Sequence, residues 1–155
     1  IGIANSNNKL PFLERTIKMN NCKDNLIYIN FNVKTNKNRG RLMNMLIDKK
    51  FEIQREKSLE EYLKELSTYK FCICPAGNGI DTHRVWECLY LNVIPIVKKN
   101  AVFEKLSDLP ILMVDEWDVI SRDFLEFKYN IYSSKNFNRE KLNIEYWAHQ
   151  ILLNL

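Results

Sequence analysis

The stretch Phe71-Cys72-Ile73-Cys74-Pro75-Ala76-Gly77-Asn78-Gly79-Ile80-Asp81-Thr82-His83-Arg84-Val85-Trp86-Glu87 constrains this chain more than any other. It starts as an apolar, strand-forming run, breaks at one Pro and two Gly, and resumes with a helix-compatible pattern. A second apolar run follows at Val93-Ile94-Pro95-Ile96-Val97. Strand, tight turn, helix and strand at this spacing form a βαβ unit, which requires the two strands to lie parallel in one sheet. The spacing predicts a strand over 70–75, a helix over 81–92 and a strand over 94–98.

The same alternation runs through the rest of the sequence. A short helix is expected within Leu10–Met19, after a turn-type cluster at Asn5–Asn8. Leu26 to Val33 alternates as a strand. Asn38 is placed to cap a helix through Lys49, and Phe51 to Arg55 is expected as a short strand. Ser58 with Glu61 three residues on forms a capping-box pattern before a helix whose apolar face is Leu59, Tyr62, Leu63 and Leu66. Beyond the βαβ unit, the sequence predicts a short helix near 100–106, a buried strand over Leu109–Val114, a helical segment from Asp115, and a terminal helix over Asn138–Asn154. Strands alternating with helices give a parallel sheet covered on both faces. The unbroken apolar runs Phe71–Cys74, Ile94–Val97 and Ile111–Val114 fit strands buried on both sides.

The length of 155 residues suits one domain, 1–155. The chain begins at Ile1 without an initiator Met, and is expected to be a piece of a longer protein. No apolar run reaches the roughly 18–20 residues needed to span a bilayer, so no membrane segment is expected. The net charge of +4, from 23 basic and 19 acidic residues, suits a phosphate-bearing ligand without being a nucleic-acid footprint. The four cysteines, Cys22, Cys72, Cys74 and Cys88, include no C-x-x-C pair, and two His are too few to complete a metal set. Cys72 and Cys74 share a strand face and are expected to pack as small hydrophobes. Reduced thiols point to a cytoplasmic setting.

Ligands of open α/β sheets bind beyond the carboxyl ends of the strands, and Pro75–Gly79 lies at such an end. Gly77 and Gly79 permit φ > 0 and close approach of backbone to ligand, Asp81 or Thr82 can cap the next helix, and that helix start favours an anion. Arg84 is placed to grip phosphate oxygens in bidentate fashion. His83, Arg84 and Glu87 share one helical face, where Glu87 can accept from ribose hydroxyls. The competing reading is ordinary. Gly-x-Gly alone is weak, Thr82 breaks a G-x-G-x-x-G pattern, no G-x-x-x-x-G-K-[ST] occurs, and Arg84 with Glu87 can be a surface pair.

The segment Cys74–Val97 resembles the nucleotide-sugar half of exostosin-like glycosyltransferases of GT-B architecture. Softer likeness lies at Ala4-Asn5-Ser6-Asn7, Tyr28–Asn36, Leu109–Leu112 and Tyr146-Trp147. The resemblance implies a Rossmann-like α/β domain, one half of a GT-B enzyme, that binds a nucleoside diphosphate sugar as donor. A glycan hydroxyl would be the acceptor, and a second, acceptor-binding domain would precede it. It further implies that Gly77, Asn78 and Gly79 line the diphosphate, Arg84 neutralises it as the glycosidic bond breaks, and Glu87 holds the ribose. Asp81 belongs to the same turn. Asn32, Thr35 and Arg39 can reach the crevice from an earlier strand, with Arg41 a rival to Arg39, and His83 either contacts the ligand or packs. No D-x-D motif occurs, so no catalytic metal or other cofactor is implied. The chain departs from the pattern at Asn92-Val93, where relatives carry Gly, and Asn92 is expected to adopt the left-handed conformation.

Three other features carry weaker signals. Asp115-Glu116-x-Asp118 is expected to cap a helix rather than to do acid–base chemistry. Lys98-Lys99 is either a source of positive potential in the crevice or a solvated turn. Trp86 is expected in the core. No serine or cysteine sits in a nucleophile motif. The alternative to an enzyme is a non-catalytic Rossmann-type module that binds nucleotides or polyanions.

Overall fold

The computed structural model describes residues 6–153, with side chains from residue 9. Ile1–Asn5, including the possible strand end at Ile1–Ala4 and half of the Ala4–Asn7 likeness, lies outside the described residues. Four strands, β1 (Asn25–Tyr28), β2 (Tyr69–Ile73), β3 (Ile94–Lys98) and β4 (Leu112–Val114), pair in sequence order and are all parallel. Among the described residues, seven α-helices flank them: α1 (Ser6–Met19), α2 (Lys37–Asp48), α3 (Leu59–Leu66), α4 (His83–Tyr90), α5 (Ala101–Glu104), α6 (Arg122–Ser134) and α7 (Ile144–Leu152). The fold is α/β and Rossmann-like, as the alternating pattern requires. Among the described residues, no helix is long and apolar enough to cross a membrane.

Period-two alternation divides the core. Ile27, Phe71 and Ile94 stand in register on one face, with Ile73, Ile96 and Leu112 beside them, and α2 and α6 cover them through Leu42, Leu46 and Leu125. Tyr28, Cys72, Cys74 and Val97 point the other way, under α3, α4 and α5 through Leu63, Val85, Cys88 and Phe103, with Leu13 of α1 alongside. The chain leaving β1 therefore goes to one face and the chain leaving β2 to the other. Neighbouring parallel strands whose helices diverge in this way open a crevice at their carboxyl ends.

Several boundaries differ from the sequence expectations for identifiable reasons. The expected strand Phe51–Arg55 does not form. Gln54 N–H donates to the Ile29 carbonyl at 2.9 Å, but the Ile29 N–H goes to the Gln54 side-chain oxygen at 2.6 Å, so an amide side chain substitutes for a second ladder partner. β1 stops at Tyr28, because Asn32 caps a 3₁₀ turn over Val33–Thr35. Helix α2 is capped by Asn36, not Asn38. The cluster Asn5–Asn8 is not a turn where it is described, since α1 begins at Ser6. Leu109–Pro110 precedes β4 as a turn, with Ile111 N–H on the Leu109 carbonyl at 2.7 Å. The acidic cluster opens a 3₁₀ turn at Trp117–Val119, and α6 starts later under a Ser121 cap. The terminal helix is split into a 3₁₀ turn at Glu140–Leu142 and α7. The Ser58–Glu61 capping box is present in both directions. Asn92 has φ 56°, and Val93 N–H reaches the Cys88 carbonyl at 2.8 Å, a Schellman-type end to α4.

Candidate anion-binding crevice

A crevice of about 490 Å³ lies beyond the carboxyl ends of β1 and β2, where α2 and α4 diverge. Arg84, in the first turn of α4, stacks its guanidinium over the Tyr62 ring at 5.5 Å. Among the described residues it makes no hydrogen bond or ion pair, and it faces the crevice. Burial opposes its charge, but the Tyr62 oxygen and the nearby cysteine sulfurs more than reverse that effect and raise its pKa. Lys9 from α1, Lys57 before α3 and Arg39 of α2 line the same space, Lys57 already paired with Glu65 at 2.6 Å, and Glu87 is the carboxylate among the lining residues.

Glu87 is buried at 3% exposure, and both of its oxygens are engaged. Lys9 Nζ contacts Oε1 at 2.5 Å and the Tyr62 hydroxyl donates to Oε2 at 2.6 Å. Burial, helped by the Glu87 charge and opposed by Arg84, pushes the Tyr62 phenol well above its ordinary range, which keeps it a donor. Glu87 thus pins α1 and α3 to α4 at the crevice wall. Its predicted ribose contact gives way to this arrangement, because the two acceptor oxygens face protein donors.

Arg39, rather than Arg41, reaches the crevice. Arg41 opens onto a separate hollow beside Glu116 and Trp117. Arg39 commits three donors to backbone carbonyls: Nε to Ala76 at 2.9 Å, Nη1 to Asn32 at 3.0 Å and Nη2 to Pro75 at 2.8 Å. It also lies over Phe31 at 5.7 Å. Burial, with the Arg84 charge nearby, lowers its pKa. Its first task is to tie the loop after β1 to the loop after β2.

Of the nine residues predicted to bind substrate, Asn32, Arg39, His83 and Glu87 line the crevice beside the predicted catalytic Arg84, and Gly77, Asn78, Gly79, Asp81 and Thr35 do not. The glycine turn folds on itself. Gly77 N–H donates to the Gly79 carbonyl at 2.9 Å, and the Gly77 carbonyl accepts from Asn36 Nδ2 at 3.1 Å. Neither glycine uses the left-handed region that it permits. Gly77 is needed for room instead: a Cβ there would stand 3.2 Å from Arg39 Nη2 and 3.6 Å from the Thr35 methyl. Asp81 does not cap α4. Its Oδ1 accepts from the Trp86 indole at 2.8 Å, and Thr82 holds the cap position without a side-chain bond. Trp86 is in the core, as expected. His83 is exposed on the rim.

Lys98 and Lys99 pair with Glu116 at 2.8 Å and Glu104 at 3.6 Å, outside the crevice. The sequence reading missed Lys9, Lys57 and Tyr62. Tyr62 carried a signal as part of the α3 apolar face. The two lysines carried none, since a lysine on an irregular or amphipathic segment is ordinary.

The four cysteines are all free thiols; Cys72, Cys74 and Cys88 are buried behind Arg84, and Cys22 is exposed elsewhere. Burial alone would raise the Cys72 thiol, but sulfur donors from Cys74 and Cys88 and the Arg84 charge draw it well below its usual range. Burial pushes Cys74 and Cys88 up.

A scan against protein-family models returns no match, and neither does a search of curated protein sequences.

Proposed function

We propose that the crevice binds the diphosphate of a nucleoside diphosphate sugar and that this chain is the donor-binding part of a glycosyltransferase. One observation carries the reading: the Arg84 guanidinium, stacked on Tyr62 and without a hydrogen-bond partner among the described residues, faces a basic crevice at the carboxyl ends of parallel strands. A planar guanidinium so fixed on a tyrosine face suits bidentate recognition of phosphate oxygens. As the bond from sugar to phosphate breaks, charge grows on the leaving diphosphate, and a preorganised cation stabilises that charge where it develops. Glu87 works in this reading through Tyr62 and Lys9, not on ribose. The acceptor is a glycan hydroxyl, bound with the help of a second α/β domain in the parent protein, and free thiols suit a cytoplasmic setting.

Titration calorimetry with UDP, GDP and ADP tests the assignment. The expected outcome is saturable binding of one nucleotide, weakened by about 1.5–3 kcal/mol in Arg84→Ala, from loss of charge-assisted hydrogen bonds. Undiminished affinity in a folded Arg84→Ala chain would remove Arg84 from the site. Inorganic diphosphate that binds as tightly as any nucleotide would favour a general polyanion module.

A further inference from the structure

Cys72, Cys74 and Cys88 all pack in the core. The fold gives them a second property. Cys72 and Cys74, two apart at the carboxyl end of β2, present both sulfurs to the face that α4 covers. Cys88 lies one turn after Arg84 on the buried side of α4. The three Sγ atoms all lie within 4.8 Å of one another, with Cys74 and Cys88 3.9 Å apart.

We propose that Cys72, Cys74 and Cys88 form a three-thiolate site for one soft, thiophilic metal ion, with Cu(I) the best match. Three sulfurs around one ion at a metal–sulfur distance of about 2.3 Å stand about 4.0 Å apart in a trigonal plane. The observed spacing needs little adjustment to reach that. Among the described residues, no fourth Cys, His, Asp or Glu joins the group. A closed zinc site takes four protein ligands, whereas an all-sulfur set of three suits Cu(I). The thiols have only weak competing bonds, Cys72 Sγ to the Ile73 carbonyl at 3.7 Å and Cys74 Sγ to the Cys72 carbonyl at 3.5 Å. Cys74 lines the crevice, which provides an entry path for the ion. Three thiolates and Cu(I) carry a net charge of −2. Arg84 interacts electrostatically with all three sulfurs and offsets part of that charge.

The experiment uses the full chain with Cys22→Ser, which removes the exposed competing thiol. Cu(I) is titrated anaerobically against a chromogenic Cu(I) chelator, with far-UV circular dichroism to follow folding. The expected result is one equivalent of Cu(I) withheld from the chelator, with an X-ray absorption spectrum showing three sulfur neighbours. Cys72→Ser and Cys88→Ser are each expected to release that equivalent. A folded Cys22→Ser chain that leaves all copper with the chelator overturns the site. So does bound copper with nitrogen or oxygen neighbours, or with two sulfurs. The first two measurements need no cysteine variant of the cluster to fold.

Discussion

The two faces of one four-stranded sheet are built from alternate residues of the same strands, yet they differ in kind. Under α2 and α6 the buried members are apolar throughout: Ile27, Ile29, Phe71, Ile73, Ile96, Leu112 and their partners. Under α1, α3 and α4 the sheet carries Tyr28, Cys72 and Cys74, and the helices add Tyr62, Cys88 and the buried Glu87. Among the described residues the buried charge is Glu87, and its hydrogen bonds lie on this second side. Because side chains alternate along a strand, a single strand such as β2 supplies a purely packing residue and a chemically capable one in turn. Stability and chemistry are thereby separated by less than the thickness of the sheet.

The first way to break the comparison is to cut into the apolar face. Phe71 is fully buried between β1 and β3 and meets Tyr129 edge-on with centroids 5.9 Å apart. Phe71→Ala is expected to cost about 3–5 kcal/mol in denaturant unfolding, from lost burial plus an unfilled cavity. Nucleotide affinity at temperatures where the variant remains folded should be little changed. A large change in affinity at preserved fold would mean that the two faces are not separate.

Glu87→Gln tests the other face. The neutral amide keeps the shape but loses the ion pair with Lys9 and weakens the Tyr62 bond. A loss of about 2 kcal/mol in unfolding free energy is expected, since hydrogen bonds to charged groups contribute about 1.5–3 kcal/mol. Unchanged stability would show that Glu87 does not fasten α1 and α3 to α4.

The contrast also explains what the sequence made legible. Unbroken apolar runs and the Ser58–Glu61 box report on neighbours within a few residues, and those elements stand where the pattern puts them. Arg84 and Glu87 were legible as crevice residues because helical spacing fixes their shared face. The task of Arg39 was not, because its three carbonyl partners include Pro75 and Ala76, more than thirty residues away. Local preference leaves the cap open between Asp81 and Thr82, and the indole of Trp86 takes the Asp81 oxygen, which leaves Thr82 at the cap position. The convergence of Cys88 on Cys72 and Cys74 depends on how α4 rolls onto β2, which composition does not report.

A pH experiment sharpens the comparison at smaller scale. Lys23 lies beside the α1, α3 and α4 layer and donates to the Ser67 carbonyl at 2.5 Å and the Leu91 carbonyl at 2.7 Å. Burial lowers its pKa from 10.5 to about 8, an effect the coulombic influence of Cys88 only partly offsets. At Lys23 the unfolded chain therefore holds its proton over about pH 8 to 10.5 where the folded chain has lost it. The Lys23 contribution to stability should rise with pH across that window and be flat below it, against the opposite trend from the raised Tyr62, Cys74 and Cys88. Because Lys23 retains solvent contact, the gain is expected on the order of 1 kcal/mol after screening. The difference in stability between the wild type and Lys23→Met should therefore rise with pH over this window, and a difference independent of pH would remove Lys23 as the source.

The smallest effect separates the two turn glycines. A Cβ on Gly79 meets nothing nearer than the Asp81 carbonyl at 3.8 Å, and its φ is not left-handed. Gly79→Ala should therefore stabilise the fold by about 0.4–1 kcal/mol, through reduced freedom of the unfolded chain. Gly77→Ala should forfeit that gain, because the new methyl presses on the Arg39 guanidinium at 3.2 Å. If Gly79→Ala unfolds at higher denaturant but binds nucleotide less well, then the glycine serves close approach of a ligand and not the fold. If stability rises and affinity holds, the turn is a spacer, and recognition rests with the side chains of the crevice. A destabilised Gly79→Ala would instead show that the turn depends on backbone freedom that the folded geometry does not display.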